Sequence, residues 1–316
     1  MLTVTITNPP RNFFDEQMSI ELDELTRKLI RDDSVGAVVF TGYGTTYMTH
    51  FDVSALLRGS RSTPCAMSYN GARVAAATTR LLGRSLIGDR LLRRTPARDL
   101  MIMTRTYAAL DRLNRMDKVV VTAINGLAFG MGCVFALACD LRFMSQDSEI
   151  GLVESNIDML GAAGGTQRMV RMIGASRAME LLLDGRGLSA ADAVQLGLVH
   201  QTFPADEVYD HAHSVAQRLC RRSPVVNREI KRMIYDAGTR PLSTALRKEA
   251  GSLIATLTTA QAERSMAWYL HSLRSHDPIT DVDVKNGFNA LHIDGVPGGP
   301  HKHPDPGHGT RAVAGN

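Results

Sequence analysis

The chain has 316 residues, 44% hydrophobic and 22% charged, with a formal net charge of +4. That balance belongs to a soluble globular protein with ample material for a core, and excludes a disordered or fibrous chain. Four cysteines (Cys65, Cys133, Cys139, Cys220) form no C-x-x-C pair, which argues for reduced thiols rather than a disulfide framework or a zinc site.

In chain order, "LTVTIT" (2–7) and "VGAVVF" (35–40) read as strands. Between them Met18, Leu22, Leu25 and Leu29 recur at helical spacing. The opening residues carry neither a basic n-region nor a long apolar h-region, so no secretory signal is read there and a cytoplasmic setting is expected. From Arg58 to Arg115 there are twelve arginines, no lysine and three acids, a local net of +9 in a chain whose remainder is −5. A solvated, arginine-decorated helical insertion is the plain reading; a cradle for a phosphorylated ligand is the sharper one, and nucleic acid the less favoured. Within it "RLLGRSLIGDRLLRR" separates leucines from arginines as an amphipathic lid helix would.

Residues 119–139 are almost continuously apolar and long enough to cross a bilayer. Asn125-Gly126 breaks the run, and β-branched residues fill only its first part, so a buried strand, a turn and a buried helix explain it better. Strands follow near "DLRFMS" and "EIGLVE". Beyond Gly164 the pattern is helical: two segments ending near glycines, a capping box at "SAAD", Ser223-Pro224 as an N-cap with proline at N1, and one long helix over about 242–272. The end, "GVPGGPHKHPDPGHGTRAVAGN", reads as disordered; His301, His303 and His308 there are polar tail residues rather than metal ligands, and no metal site is expected.

"NGLAFGMGCVFALACDLRF", "IGLVE", "GAAGGTQRM" and "GLSAADAVQLGLVHQTFP", with "TITNPPRNFFDEQM" before and "SPVVNREIKR" after, resemble the crotonase (enoyl-CoA hydratase/isomerase) superfamily from about residue 3 to 275. The resemblance implies an α/β fold, a spiral of ββα turns with a helical C-terminal region that makes trimers, or hexamers as dimers of trimers. It divides the chain into a core at 1–203 with an insertion at about 58–98, a helical region at 204–275 and an extended tail at 276–316. It also implies an acyl-CoA thioester as substrate, with coenzyme A part of that substrate and no separate cofactor.

Matched position by position, the backbone N–H groups of Thr49 and Met131 fall where the family holds the thioester oxygen. His50 stands where glycine is common. Of the two glutamates a hydratase of this family uses, one position holds Val134; the other holds Glu154. A lone carboxylate can carry a proton between C2 and C4 of an enoyl thioester but is poorly suited to splitting water, so the match favours isomerisation. Phe51, Asp52 and Gly130 lie beside the expected site, and Arg11 is placed for the coenzyme's phosphates. Asp52 is expected to organise its loop, Cys133 to pack, and His50 to be either structural or a second acid/base. Asp158 reaches the pocket only if its turn is helical. The other readings are a hydratase with altered water activation, a thioester hydrolase or C–C lyase using Glu154 with His50, and a silent acyl-CoA or RNA-binding homologue.

Overall fold

The computed structural model describes residues 1–293 except 63–66, 84, 86–87, 89–90, 93–94, 96, 238 and 275. Five parallel strands form the main sheet in the order β1 (Leu2–Ile6), β2 (Ala37–Gly42), β3 (Val119–Ile124), β5 (Leu141–Ser145), β8 (Gln201–Phe203). A smaller sheet joins β4 (Ala128–Phe129), β6 (Glu149–Gly151) and β7 (Leu188–Ser189). The chain steps from the large sheet to the small one and back: β3 to β4, then helix α5 (Met131–Ala138), then β5 to β6 and a 3-10 turn (Glu154–Ile157). Those repeated steps are the ββα spiral.

Burial on both faces explains why β2 and β3 are apolar without alternation: all six residues of each are buried. Val38, Phe40, Val120 and Ile124 enter the larger core, which includes Leu22 and Leu29 of α1 (Glu16–Arg31) and Ala109, Leu110 and Leu113 of the later helix α4 (Arg98–Arg115). Ala37, Val39, Val119, Val121 and Ala123 enter a second core with Val208, Ala212 and Ala216 of α8 (Val208–Leu219). The two-residue period thus splits one strand between two hydrophobic layers.

The Asn125-Gly126 break is a built joint. Asn125 Oδ1 accepts from Gly42 N–H at 3.0 Å, while its Nδ2 donates to Gly42 O at 2.9 Å and Gly44 O at 2.7 Å. The side chain thereby replaces a strand's backbone pairing at the end of β2. Beside it, a Cβ on Gly126 would lie 2.4 Å from Thr45 O, so only glycine lets the chain pass.

The insertion contains α2 (Val53–Ser62) and α3 (Tyr69–Leu82); the lid helix expected over 80–94 falls largely outside the described residues. Helix α6 (Gly165–Asp184) joins the two expected segments across Gly174, whose φ of 80° kinks it. Ser189 caps α7 (Ala190–Gln195) by accepting from Asp192 N–H at 3.2 Å, as its capping box predicts. Pro224 does open α9 (Pro224–Asp236), but Ser223 makes no capping hydrogen bond through its side chain.

Two expectations are corrected. The long helix over 242–272 is two, α10 (Leu242–Leu257) and α11 (Ala260–Leu273), because Thr259 caps a new start by accepting from Ala262 N–H at 3.2 Å. The expected extended tail begins with a helix, α12 (Asp281–Ile293). Thr280 and Asp283 form a capping box there, with Thr280 Oγ1 donating to Asp283 Oδ2 at 2.6 Å, and Phe288 packs on Tyr269 at a ring separation of 4.5 Å. The histidine-rich segment 294–316 lies outside the described residues.

Candidate active site

Three segments meet around α5. The first is the loop after β2. Tyr47 is fully buried and its hydroxyl pairs with Thr122 Oγ1 at 2.7 Å. Met48 O lies directly beneath Gly132, where an added Cβ would come within 1.9 Å of it. Thr49 O then accepts from Phe129 N–H at 3.0 Å, laying this loop along β4. Both positions expected to hold a thioester oxygen are therefore brought to one place: Thr49 pairs through its carbonyl, and Met131 begins the helix two residues after Phe129. Among the described residues neither the Thr49 nor the Met131 N–H donates a hydrogen bond.

All eight residues of α5 are buried, so its ends govern its polarity. At the C-terminal end Asn114 Nδ2 donates to Ala138 O at 2.8 Å and Arg142 Nη1 to Cys139 O at 2.6 Å. Arg168 holds Asn114 in place through its Oδ1 at 2.7 Å. An amide and a guanidinium thus satisfy the negative end, and the unpaired N–H groups and positive dipole end face the site.

Glu154 comes from the third segment, the 3-10 turn after β6. Its side chain is 1% exposed, and neither carboxylate oxygen has a hydrogen-bond partner among the described residues. Burial raises its pKa above the ordinary value of 4.5. Two glycines clear the space around it. An added Cβ at Gly161 would stand 3.3 Å from Oε2, and one at Gly130, where φ is +49°, would stand 3.3 Å from Oε1.

The remaining expected residues fall around this centre. Val134 is fully buried and faces Gly165, a core valine with no polar role. His50 lies beside Gly130, its Nε2 2.8 Å from the same hypothetical Cβ, with Nδ1 3.4 Å from Phe51 O and its ring edge-on to Phe51 at 5.6 Å. Burial lowers its pKa. Phe51 packs against the main core. Asp52 caps α2, accepting from Ser54 N–H at 2.9 Å, with Arg58 at 3.7 Å; it organises its loop as expected. Arg11 is exposed, and its carbonyl accepts from the Thr49 hydroxyl. Asp158 is exposed in a left-handed turn and does not join the group. Cys133 is fully buried, and burial beside Glu154 pushes its thiol far up, so it is no nucleophile.

Beside His50 opens a cleft of about 560 Å³, lined by Phe13, Val53, Phe129, Val153, Ile157 and the Gly185–Gly187 turn among others. Phe13 and that turn escape a residue-by-residue reading because they come from distant loops. Gly161 was legible only as one glycine of "GAAGG".

The family model for enoyl-CoA hydratase/isomerase matches residues 89–276. The chain belongs to the enoyl-CoA hydratase/isomerase family. It is similar to the 2,3-dehydroadipyl-CoA hydratase of Escherichia coli (strain K12), 34% identical over 138 residues, covering 44% of this chain and 54% of that protein. It is also similar to a putative enoyl-CoA hydratase/isomerase, YngF, of Bacillus subtilis (strain 168), 34% identical over 175 residues, with 55% of this chain and 66% of the relative covered. These alignments leave between a third and a half of each relative unmatched. Among solved structures, an enoyl-CoA hydratase of Geobacillus kaustophilus HTA426 superposes with a TM-score of 0.70 at 23% identity, over 85% of this chain and 90% of that one, a likeness of fold. DspI of Pseudomonas aeruginosa superposes at 0.68 with 27% identity over the same shares.

Proposed function

We propose that this family member acts on an enoyl thioester of coenzyme A by way of its enolate. In this reading the Thr49 and Met131 N–H groups take up the thioester oxygen, and Glu154 moves a proton at C2. The observation that carries it is Glu154 itself: a carboxylate out of solvent, without a partner among the described residues, framed by two glycines, one of them the residue before Met131. A buried polar group left unsatisfied costs stability and is kept for a purpose. Each N–H donor is worth about 3–4 kcal/mol in related acyl chemistry.

With Val134 where a second glutamate would stand, the carboxylates alone support double-bond migration between C2 and C4 better than hydration. Phe51, Asp52 and Gly130 shape the reacting end. The apolar cleft beside His50 takes the acyl chain, and exposed Arg11 meets the coenzyme's phosphates. Coenzyme A enters as part of the substrate, with no separate cofactor. The division into a core at 1–203 and a helical region at 204–275 is kept, and its exposed Leu242, Leu246, Leu253 and Ile254 support assembly into trimers or hexamers. None of the described helices is long and apolar enough to cross a membrane, and we place the protein in the cytoplasm, without nucleic acid as a partner.

The test is purified protein with 2-enoyl- and 3-enoyl-CoA of several chain lengths in deuterated water, products resolved by mass. Deuterium at C2 or C4 with a shifted double bond is expected; binding without any turnover overturns the reading.

A further inference from the structure

Adding water to an enoyl thioester needs two proton-handling groups on one substrate. One takes a proton from the water as its oxygen bonds to C3; the other gives a proton to C2. Glu154 is the only carboxylate that the described residues place here, since Val134 is apolar and Asp158 turns away. Near Glu154, however, lies an imidazole. The same point in space, the absent Cβ of Gly130, lies 2.8 Å from His50 Nε2 and 3.3 Å from Glu154 Oε1. The sum of those distances is an upper limit on the gap between the two atoms, and with no direct hydrogen bond between them one water can bridge it. Both sides of it also lack protein partners. Neither Glu154 oxygen is hydrogen-bonded, and the one contact of the His50 ring nitrogens among the described residues is that of Nδ1 with Phe51 O. His50 also lines the cleft, so its ring meets the space a substrate would use.

We propose that His50 is the second proton-transfer group of this site, holding and deprotonating the water that adds to C3 of a 2-enoyl-CoA. The proposal rests on the enolate reading above. In the step, the lone pair of Nε2 accepts a proton from water as the water oxygen bonds to C3. The C2–C3 π electrons shift to the C1–C2 bond, and the thioester carbonyl pair moves onto oxygen, held by the Thr49 and Met131 N–H groups. The enolate then collapses as the Glu154 carboxyl gives its proton to C2. The product is a 3-hydroxyacyl-CoA, and passing the imidazolium proton to the Glu154 carboxylate through solvent resets the pair. Burial lowers the pKa of His50 and raises that of Glu154, the directions that a base and an acid respectively require. The family's other glutamate position lies on α5; here the second group comes instead from the loop after β2.

The test compares the parent protein, His50→Ala, His50→Gln and Glu154→Gln in ¹⁸O-labelled water. Each is given a 2-enoyl-CoA to follow hydration and a 3-enoyl-CoA to follow double-bond migration. The parent should place ¹⁸O in the 3-hydroxy group. Both His50 variants should lower the ratio of hydration to migration by about 100-fold or more, and added imidazole should restore hydration in part to His50→Ala. Glu154→Gln should lose both reactions. Migration without hydration in the parent overturns the proposal and leaves the enolate reading standing. So does a parallel fall of both reactions in His50→Ala, which would make His50 a loop spacer. A parent protein that turns over neither thioester brings down the enolate reading, and the proposal with it.

Discussion

Asp140 and Glu154 are both carboxylates drawn out of solvent, and their surroundings are opposite. Asp140 Oδ2 accepts from Val120 N–H at 2.8 Å and pairs with Lys231 Nζ at 2.7 Å, while Oδ1 accepts from the Tyr235 hydroxyl at 3.2 Å. Lys231 also donates to Leu113 O at 2.8 Å and Lys118 O at 2.9 Å, so α9 is bolted to α4 and to the start of β3. Burial pushes the Asp140 pKa up, and Lys231 pulls against it. Glu154 has no such company. A saturated buried carboxylate is a joint of the scaffold; an unsaturated one framed by glycines is held ready for something that arrives. The first should matter to folding and the second to chemistry.

Glu154→Gln is the largest test of that contrast. It should cut proton transfer at C2 by about 100- to 10,000-fold while calorimetry still shows thioester binding. Next comes Lys231→Met, which leaves Asp140 buried without a counter-charge. It should cost about 3–5 kcal/mol of stability in denaturant unfolding, with enolate chemistry per folded molecule preserved. If Lys231→Met instead silenced the chemistry of well-folded protein, the division of labour would be wrong. Gly130→Ala stands between the two: a side chain at φ +49° pointing at His50 Nε2 should cost about 1–3 kcal/mol and slow turnover as well.

The pH dependence sharpens the comparison. The folded pKa of Glu154 is raised above 4.5, so the native state binds its proton more tightly than the unfolded chain does. The stability this contributes is present at low pH and is lost as pH rises through the folded pKa. Glu154→Gln should therefore gain stability relative to the parent as pH rises over that window, by no more than about 1.4 kcal/mol per pH unit. Unfolding curves from about pH 4 upward, in steps of about one unit, check the sign. The smallest effect belongs to the surface. Arg98 and Glu16 pair at 2.6 Å but are half exposed, and Arg98→Ala should change stability by less than about 1 kcal/mol.

The arginine-rich stretch from Arg58 to Arg115 illustrates the same point about company. A net charge of +9 invites a search for an anionic partner, yet several of its arginines already face acids of the fold. Arg58 meets Asp52, Arg98 meets Glu16, and Arg112 meets Asp23. Two of those acids belong to α1, and the arginines they meet lie on α4, the helix that closes the basic stretch. Composition counted the charges along the chain but not across the space between α1 and α4.

Local chemistry was enough to expose much of this protein in its sequence. Apolar runs marked the buried strands, because a strand covered on both faces needs no polar residue. Asn125-Gly126 marked the joint, and Ser189 marked a cap. The family resemblance pointed to Thr49, Met131, Val134 and Glu154, whose segments the fold gathers around α5. What the sequence hid were features that depend on neighbours remote along the chain. The split at Thr259 and the helix at 281–293 turn on single capping contacts, weak signals until the flanking helices are packed. That Glu154 is unpartnered while Asp140 is saturated depends on Lys231 and Tyr235 arriving from α9. That His50 and Glu154 both approach one missing Cβ depends on Gly130 bending with positive φ between two loops about a hundred residues apart. The chain itself determined which groups would be present; only the tertiary structure decided which of them meet, because burial and hydrogen bonding are properties of contacts and not of residues.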